Sequence, residues 1–194
     1  MEFITDLISE NNKLPVKTIN NLKKLLSYQN VKKKHVLTKA GETPTEFYIL
    51  KEGVVRSYFL DKKGREVIQS LTVGGNSFGA FSSLVLDRPS RMYYDCLTDC
   101  EFYVGDFKAF KKLTKKDINI SLLYTKVLEY SFIKKEKRIY ELSMLDATDR
   151  YLKIRKDLPN IEKQIPQYQI ASFLNITPVQ LSRIRKDLLM KKMR

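Results

Sequence analysis

"IASFLNITPVQLSRIRK", Ile170 to Lys186, is the stretch that decides how the rest of the chain reads. Ile170, Ala171 and Leu174 form one apolar helical face at i, i+1 and i+4. Asn175 follows where a tight turn between helices needs a left-handed residue, and asparagine is the best substitute for glycine there. Ile176 plugs the turn. Thr177 is a good N-cap, Pro178 suits the first helical position, and Gln180 completes a Thr-x-x-Gln capping box. Leu181, Ile184 and Leu188 then define the buried face of a second helix. Ala171 is small where two crossing helices must approach. The pattern predicts a helix-turn-helix, with helices at about 167–174 and 178–192.

With Leu181, Ile184 and Leu188 facing inward, 100° per residue turns Val179, Arg183 and Lys186 outward, flanked by Gln180 and Ser182. These residue types suit the major groove. Arginine forks onto guanine, glutamine onto adenine, valine touches a thymine methyl and lysine meets phosphate. Residues 147–194 hold 11 Lys/Arg against 4 Asp/Glu, half of the whole chain's excess of +14. A plain helical hairpin with a basic outer face is the simpler alternative. The agreement of capping box, small residue, turn and polar face favours double-stranded DNA.

Working back from this stretch, "DRYLKIRKDL" reads as a helix stopped by Pro159, and Asp146-Ala147-Thr148 separates it from a long helical segment at 117–145. That segment has neither Gly nor Pro; Ile120, Leu123, Val127, Tyr130, Ile139, Leu142 and Leu145 are among its apolar positions. Its length approaches about 40 Å at 1.5 Å per residue. A rod of that length packs in part along its own domain and, on the sharper reading, pairs with its twin in a homodimer. From Val31 to about Gly105 the texture is β-rich. "HVLTKA", "EFYILKEG", "VVRSYFL", "EVIQSLTV", "MYYDCL" and "EFYVG" alternate with turn signals, which predicts a sandwich or barrel. "YFLDKKGREVIQSL" reads as a hairpin. A short helix is expected at about 79–86, and another helix at 4–28 with Leu14, Ile19, Leu22, Leu25 and Leu26 on its apolar positions.

Composition narrows the function. At 194 residues and 43% hydrophobic the chain can bury a core, and 36 Lys+Arg against 22 Asp+Glu favour a polyanionic partner. No apolar run is long enough for a membrane span, and "MEFITDLISENNKL" has no basic leader region, so a cytoplasmic location without membrane association is expected. Cys96 and Cys100, taken as one strand, would lie about 13 Å apart at about 3.3 Å per residue, too far for a disulfide or a shared metal. With His35 the single histidine, no metal site is expected. No catalytic motif appears, and Asp61, Glu66, Asp87, Asp95, Asp99 and Glu101 read as solvated strand-end and turn residues. The expectation is a non-enzyme.

The order of β-barrel, long helix and helix-turn-helix resembles the Crp/Fnr (catabolite-activator-type) family of transcription regulators. "YILKEGVVRSYFLDKKGREVIQSLTVGGNSFG" resembles its cyclic-nucleotide-binding-like domain, including Gly53, Gly64 and Gly79. "LDATDRYLKIRKDLP" and "IASFLNITPVQLSRIRK" are similar to a Bacteroidetes-type subgroup. The resemblance implies an α+β chain of two domains: an N-terminal double-stranded β-helix (jelly-roll) barrel over 1–116, a long dimerisation helix at 117–146, and a helix-turn-helix domain at 147–194 lacking a full wing. It also implies a homodimer reading a near-palindrome, with base contacts from Gln180, Ser182 and Arg183, and RNA polymerase as a further partner.

The barrel departs from the cyclic-AMP-binding pattern of that family. Of the effector-pocket positions Phe78, Gly79, Ala80, Ser90 and Arg91, Ala80 stands where the pattern has a ribose-binding Glu. Ser90 stands where it has the phosphate-binding Arg, and Arg91 lies one residue later, on the opposite face of a strand. Lys135-Glu136 replace the long-helix Thr-Ser pair that touches adenine. Cyclic AMP is therefore not the expected ligand; another small effector, or none, would occupy the barrel. The alternative function is a small-ligand sensor module that binds no DNA and acts through protein contacts.

Overall fold

The computed structural model describes residues 14–192. Helix α1 (Val16–Leu25) leads directly into strand β1 (Leu26–Val31). The helix expected at 4–28 is thus shorter at its C-terminal end, and its residues 4–13 lie outside the described part. Leu26 to Val31 pair residue by residue with Gly105 to Cys100, so a ladder to a distant strand overrides local helical periodicity.

The strands β2 (Val36–Thr38), β3 (Glu46–Glu52), β4 (Val54–Leu60), β5 (Glu66–Val73), β6 (Asn76–Phe78), β7 (Tyr93–Cys96) and β8 (Cys100–Asp106) follow, with helix α2 (Phe81–Leu86) after β6. They build two antiparallel four-stranded sheets, ordered β1-β8-β3-β6 and β2-β7-β4-β5. The expected hairpin is β4–β5, and Asp61 closes it by accepting from the backbone N–H groups of Lys63 and Arg65. Between the sheets lie Tyr48, Leu50, Val55, Cys96, Cys100, Phe102 and Val104. Alternation along β8 sends Phe102 and Val104 inward and Tyr103 outward. There Tyr103 meets Leu22, Leu84, Phe107, Phe110 and Ile120 under α1, α3 (Phe107–Thr114) and the start of α4 (Ile118–Met144).

One expectation fails outright. Cys96 ends β7 and Cys100 begins β8, so the two do not share a strand. The turn Leu97–Asp99 carries the chain from one sheet to the other and folds the two thiols together in the same core cluster.

Helix α4 keeps the predicted bounds within a residue or so, but of its whole length only Ile120 is fully buried. Then come α5 (Ala147–Asp157), α6 (Ile161–Gln164), α7 (Gln167–Phe173) and α8 (Pro178–Lys192). Asp146 caps α5 by accepting from the Asp149 N–H. The short α6 was not anticipated; it buries Ile161.

Candidate nucleic-acid interface and its mounting

The turn between α7 and α8 is built by local chemistry. Asn175 sits at φ 55°, the left-handed conformation expected of it. The Ile176 N–H donates to the Ala171 carbonyl (3.0 Å) and the Asn175 N–H to that of Ser172 (3.1 Å), the paired bonds of a Schellman ending. Across the turn, the Gln180 N–H donates to Thr177 Oγ1 (3.1 Å) and the Thr177 N–H to Gln180 Oε1 (2.9 Å), so the capping box closes in both directions. Ala171 and Leu181 are fully buried where the helices cross, with Ile184 and Leu188 packed beside them.

The other side of α8 is open. Val179, Gln180, Ser182, Arg183 and Lys186 are all exposed, as the helical arithmetic required. One of them is already engaged. Gln180 Oε1 accepts from both Thr177 N–H and Thr177 Oγ1, which leaves only the amide nitrogen free. Two-pronged reading of adenine needs both ends of the amide, so Gln180 could do it only by opening its capping box. Arg185, on a flank of the helix, is held by Glu162 at 3.4 Å, and Glu162 also accepts from the buried Tyr151 hydroxyl at 2.6 Å.

This unit is mounted on the barrel. Val54 and Leu97 of the barrel join Tyr151, Ile154, Ile161, Ile165, Ile170, Leu174 and Leu181 in one apolar cluster. Arg56, only 6% exposed, is the polar centre of the contact. Its guanidinium donates to Asp95 through Nε (2.7 Å) and Nη2 (2.9 Å), to Glu66 through both terminal nitrogens, and to Gln169 Oε1 through Nη1 (2.8 Å). It lies over the Tyr58 ring at 4.1 Å. Burial works against the charge, yet the two carboxylates outweigh it and hold the Arg56 pKa above the usual arginine value. Asp95 is therefore not the solvated surface acid expected from sequence, whereas Glu66 stands exposed at the start of its strand as expected. The residues involved lie 10, 39 and 113 positions from Arg56, and no local pattern joins them.

Ser172 adds a second tie. Its hydroxyl accepts from the Ile68 N–H (3.1 Å) and donates to the Glu66 carbonyl (2.9 Å), both on β5. From the other side, Arg138 of α4 donates to the Phe173 carbonyl and stacks on the Phe173 ring at 4.0 Å. Arg150 donates to the carbonyls of Leu174 (3.1 Å) and Leu145 (2.6 Å). Two cations thus satisfy the carbonyl end of α7, where the helix dipole favours positive charge.

The barrel's interior is lined with rings. Phe78 stacks on Tyr48 at 5.0 Å and lies 6.5 Å from Tyr94, while Phe102 meets Tyr48 edge-on at 5.4 Å. Burial pushes the hydroxyls of Tyr48 and Tyr94 above the ordinary tyrosine range. Ala80 is buried and offers no acceptor from its side chain. Ser90 is buried too, and its hydroxyl both accepts from the Met92 N–H (3.1 Å) and donates to the Met92 carbonyl (2.8 Å). Arg91 is exposed, and Lys135 and Glu136 stand on the exposed side of α4. Gly79 lies against Leu84, where a Cβ would come within 3.2 Å of its side chain. The other four cassette positions divide between an aromatic interior, a self-bonded turn and solvent. A hollow of about 180 Å³ lies nearby, lined by residues including Glu42, Glu46 and Tyr48, smaller than the usual 300 Å³ or more of a small-molecule site.

With this geometry in hand, comparison with known proteins gives a consistent picture. Residues 28–117 match the cyclic nucleotide-binding domain family. The chain is similar in fold to FixK2 from Bradyrhizobium japonicum, with a TM-score of 0.72, 17% identity, and 86% of each chain covered. A protein from Eubacterium rectale, assigned to the crp/fnr family of transcriptional regulators, gives a TM-score of 0.73 at 16% identity, covering 96% of this chain and 88% of that one. The c-di-GMP responsive global regulator CLP of Xanthomonas campestris gives 0.68 at 15% identity, covering 92% and 93%. Among curated proteins none matches the sequence. The fold is that of a cyclic-nucleotide-binding jelly roll followed by helices, arranged as in Crp/Fnr regulators. Among the described residues no helix is long and apolar enough to cross a membrane.

Proposed function

We propose that the protein is a sequence-specific DNA-binding transcription regulator of the Crp/Fnr type, with no enzymatic role, working in the cytoplasm as a homodimer. The observation that carries this reading is the two-sided character of α8. One side is sunk into the terminal core through Leu181, Ile184 and Leu188. The other presents Val179, Ser182, Arg183 and Lys186 to solvent behind a properly formed Schellman turn and capping box. Arg183 is assigned the main base contact, Val179 and Ser182 secondary ones, and Lys186 a phosphate. Gln180 contributes its free amide N–H alone.

Dimerisation is assigned to α4. Ile118, Leu122, Ile133, Tyr140 and Met144 are all exposed and fall within about a quarter-turn of one another round the helix, with Glu129 and Glu136 on the same strip. Burying that stripe against a second copy would bring two α8 helices to one face of a DNA duplex. Cyclic AMP is not the effector on this reading, since a cyclic phosphate in the barrel would meet Ala80 and a self-bonded Ser90 in place of an acidic and a cationic partner.

The test is selection of bound sequences from random DNA by the purified protein at fixed salt, with and without cyclic AMP. A near-palindrome recovered equally in both supports the whole reading. A palindrome that requires cyclic AMP overturns the reading of the barrel. No enriched sequence overturns DNA recognition and leaves a sensor module acting through protein contacts.

A further inference from the structure

The turn Cys96-Leu97-Thr98-Asp99-Cys100 brings together two thiols that the proposed function does not use. Cys96 belongs to the sheet of β4 and β5, pairing with Val55; Cys100 belongs to the sheet of β1 and β3, pairing with Val31. Both are 1% exposed and both lie in the cluster between the sheets. The surroundings leave room for them. Gly53 stands against the turn at φ +103°, and a Cβ there would come within 2.6 Å of Cys100 Sγ and 2.5 Å of the Asp99 carbonyl. The Cys100 sulfur contacts the Thr98 hydroxyl at 3.8 Å. Outside, Asp99 is pinned by the Lys33 N–H (2.9 Å) and by Lys32 Nζ (2.8 Å), so its end of the turn is held twice.

We infer that Cys96 and Cys100 form a reversible disulfide site, closing a five-residue ring that staples the two sheets when a peroxide reaches it. The chemistry is asymmetric. Cys100 Sγ lies 3.7 Å from the Val54 carbonyl, which also accepts from the Leu97 N–H at 2.8 Å, so Cys100 folds back against the residue that follows Cys96. The neighbouring Cys96 thiol lowers the Cys100 pKa to about 7 despite burial. The same contact and burial push Cys96 up, so it keeps its proton. Cys100 thiolate is then the nucleophile. It attacks one oxygen of hydrogen peroxide, the O–O bond breaks, and water leaves after protonation of the departing hydroxide. The Cys100 sulfenic acid so formed is attacked by the Cys96 sulfur. The S–S bond forms as the S–O bond breaks, and the Cys96 proton leaves with the hydroxyl as a second water. Each sulfur gives up one electron and the peroxide is reduced to two waters. The turn between the two sulfurs has Thr98 half-exposed and Asp99 exposed. Leu97, between the thiols, packs in the cluster that holds the terminal helices, so the ring closes directly against the mounting of α7 and α8.

The experiment exposes the reduced, folded protein to hydrogen peroxide and then measures free thiols and intact mass. The expected result is loss of both thiols together with two hydrogen masses, complete recovery with dithiothreitol, and a rate rising with pH to half its maximum near the Cys100 value of about 7. Cys96→Ser should stop at a sulfenic acid on Cys100 that dimedone traps, and Cys100→Ser should keep its remaining thiol. Two free thiols surviving in the folded wild type, with reaction appearing only in denaturant, overturns the inference. So does a disulfide that links two chains. These readouts need no DNA and are independent of the function proposed above.

Discussion

Two apolar surfaces of this molecule run beside each other and end differently. The seat of α7 against β5 is complete within one chain: the apolar cluster is closed, Arg56 has every carboxylate it faces, and Ser172 fills a donor and an acceptor of the strand. The stripe on α4 is not complete. Ile118 is 70% exposed and Met144 69%, with Leu122, Ile133 and Tyr140 between them. Isolated exposed apolar side chains are ordinary; here five share one side of a helix of 27 residues, with Glu129 and Glu136 among them. On the proposed reading, the difference separates what one copy of the chain does for itself from what it leaves to a second.

The strongest way to break the contrast is to charge the bare stripe. Ile133→Asp should abolish self-association in sedimentation and weaken binding to a two-half-site DNA by about 10²- to 10⁴-fold, while single half-site binding stays. An unchanged sedimentation profile would show that the stripe is no interface. Next in size is the completed side. Arg56→Leu removes the cation between Asp95 and Glu66, leaving Asp95 largely buried beside an unpaired Gln169, and should cost about 3–5 kcal/mol in denaturant unfolding. A cost within 1 kcal/mol would mean, on the usual scale for exposed pairs, that the cluster is solvated in practice. Smaller again, Arg183→Ala should lose about 1–3 kcal/mol of binding to the selected sequence and relax preference at one base pair, with no change in melting temperature. The smallest is Thr177→Ala, expected to cost about 1 kcal/mol of stability by opening the capping box. The Thr177 N–H still holds Gln180 Oε1 in that variant, so base preference should not change.

The sequence declares the parts of this structure whose causes are local. Asn175, Thr177 and Gln180 act on backbone groups within a few residues, and their roles were legible one by one. The strands of the barrel were legible from alternation and turn residues, with β1 and β6 as exceptions. "LSYQNV" continues the spacing of the helix before it, and only the partner strand β8 turns it into a strand. "NSF" is too short to show a period. The Arg56 cluster escaped because its members come from β4, β5, β7 and α7, and meet only once two sheets and a distant helix are assembled. The thiol pair was misplaced for a related reason. "CLTDC" has neither glycine nor proline to announce a turn, so it reads as one continuous strand. The cap made by Gln180 was legible; that the cap occupies the oxygen a base contact would need was visible only in the fold.

The hydroxyl of Ser172 has a consequence beyond joining two domains. β5 is the last strand of its sheet, and an outermost strand offers unpaired N–H and C=O groups to any passing chain. Ser172 occupies one of each, at Ile68 and Glu66, with the bulk of α7 lying along the strand. The terminal helices therefore cover this border of the barrel. Were they clipped off or pulled away, the barrel would be left with a sticky border at which copies could stack strand to strand into aggregates.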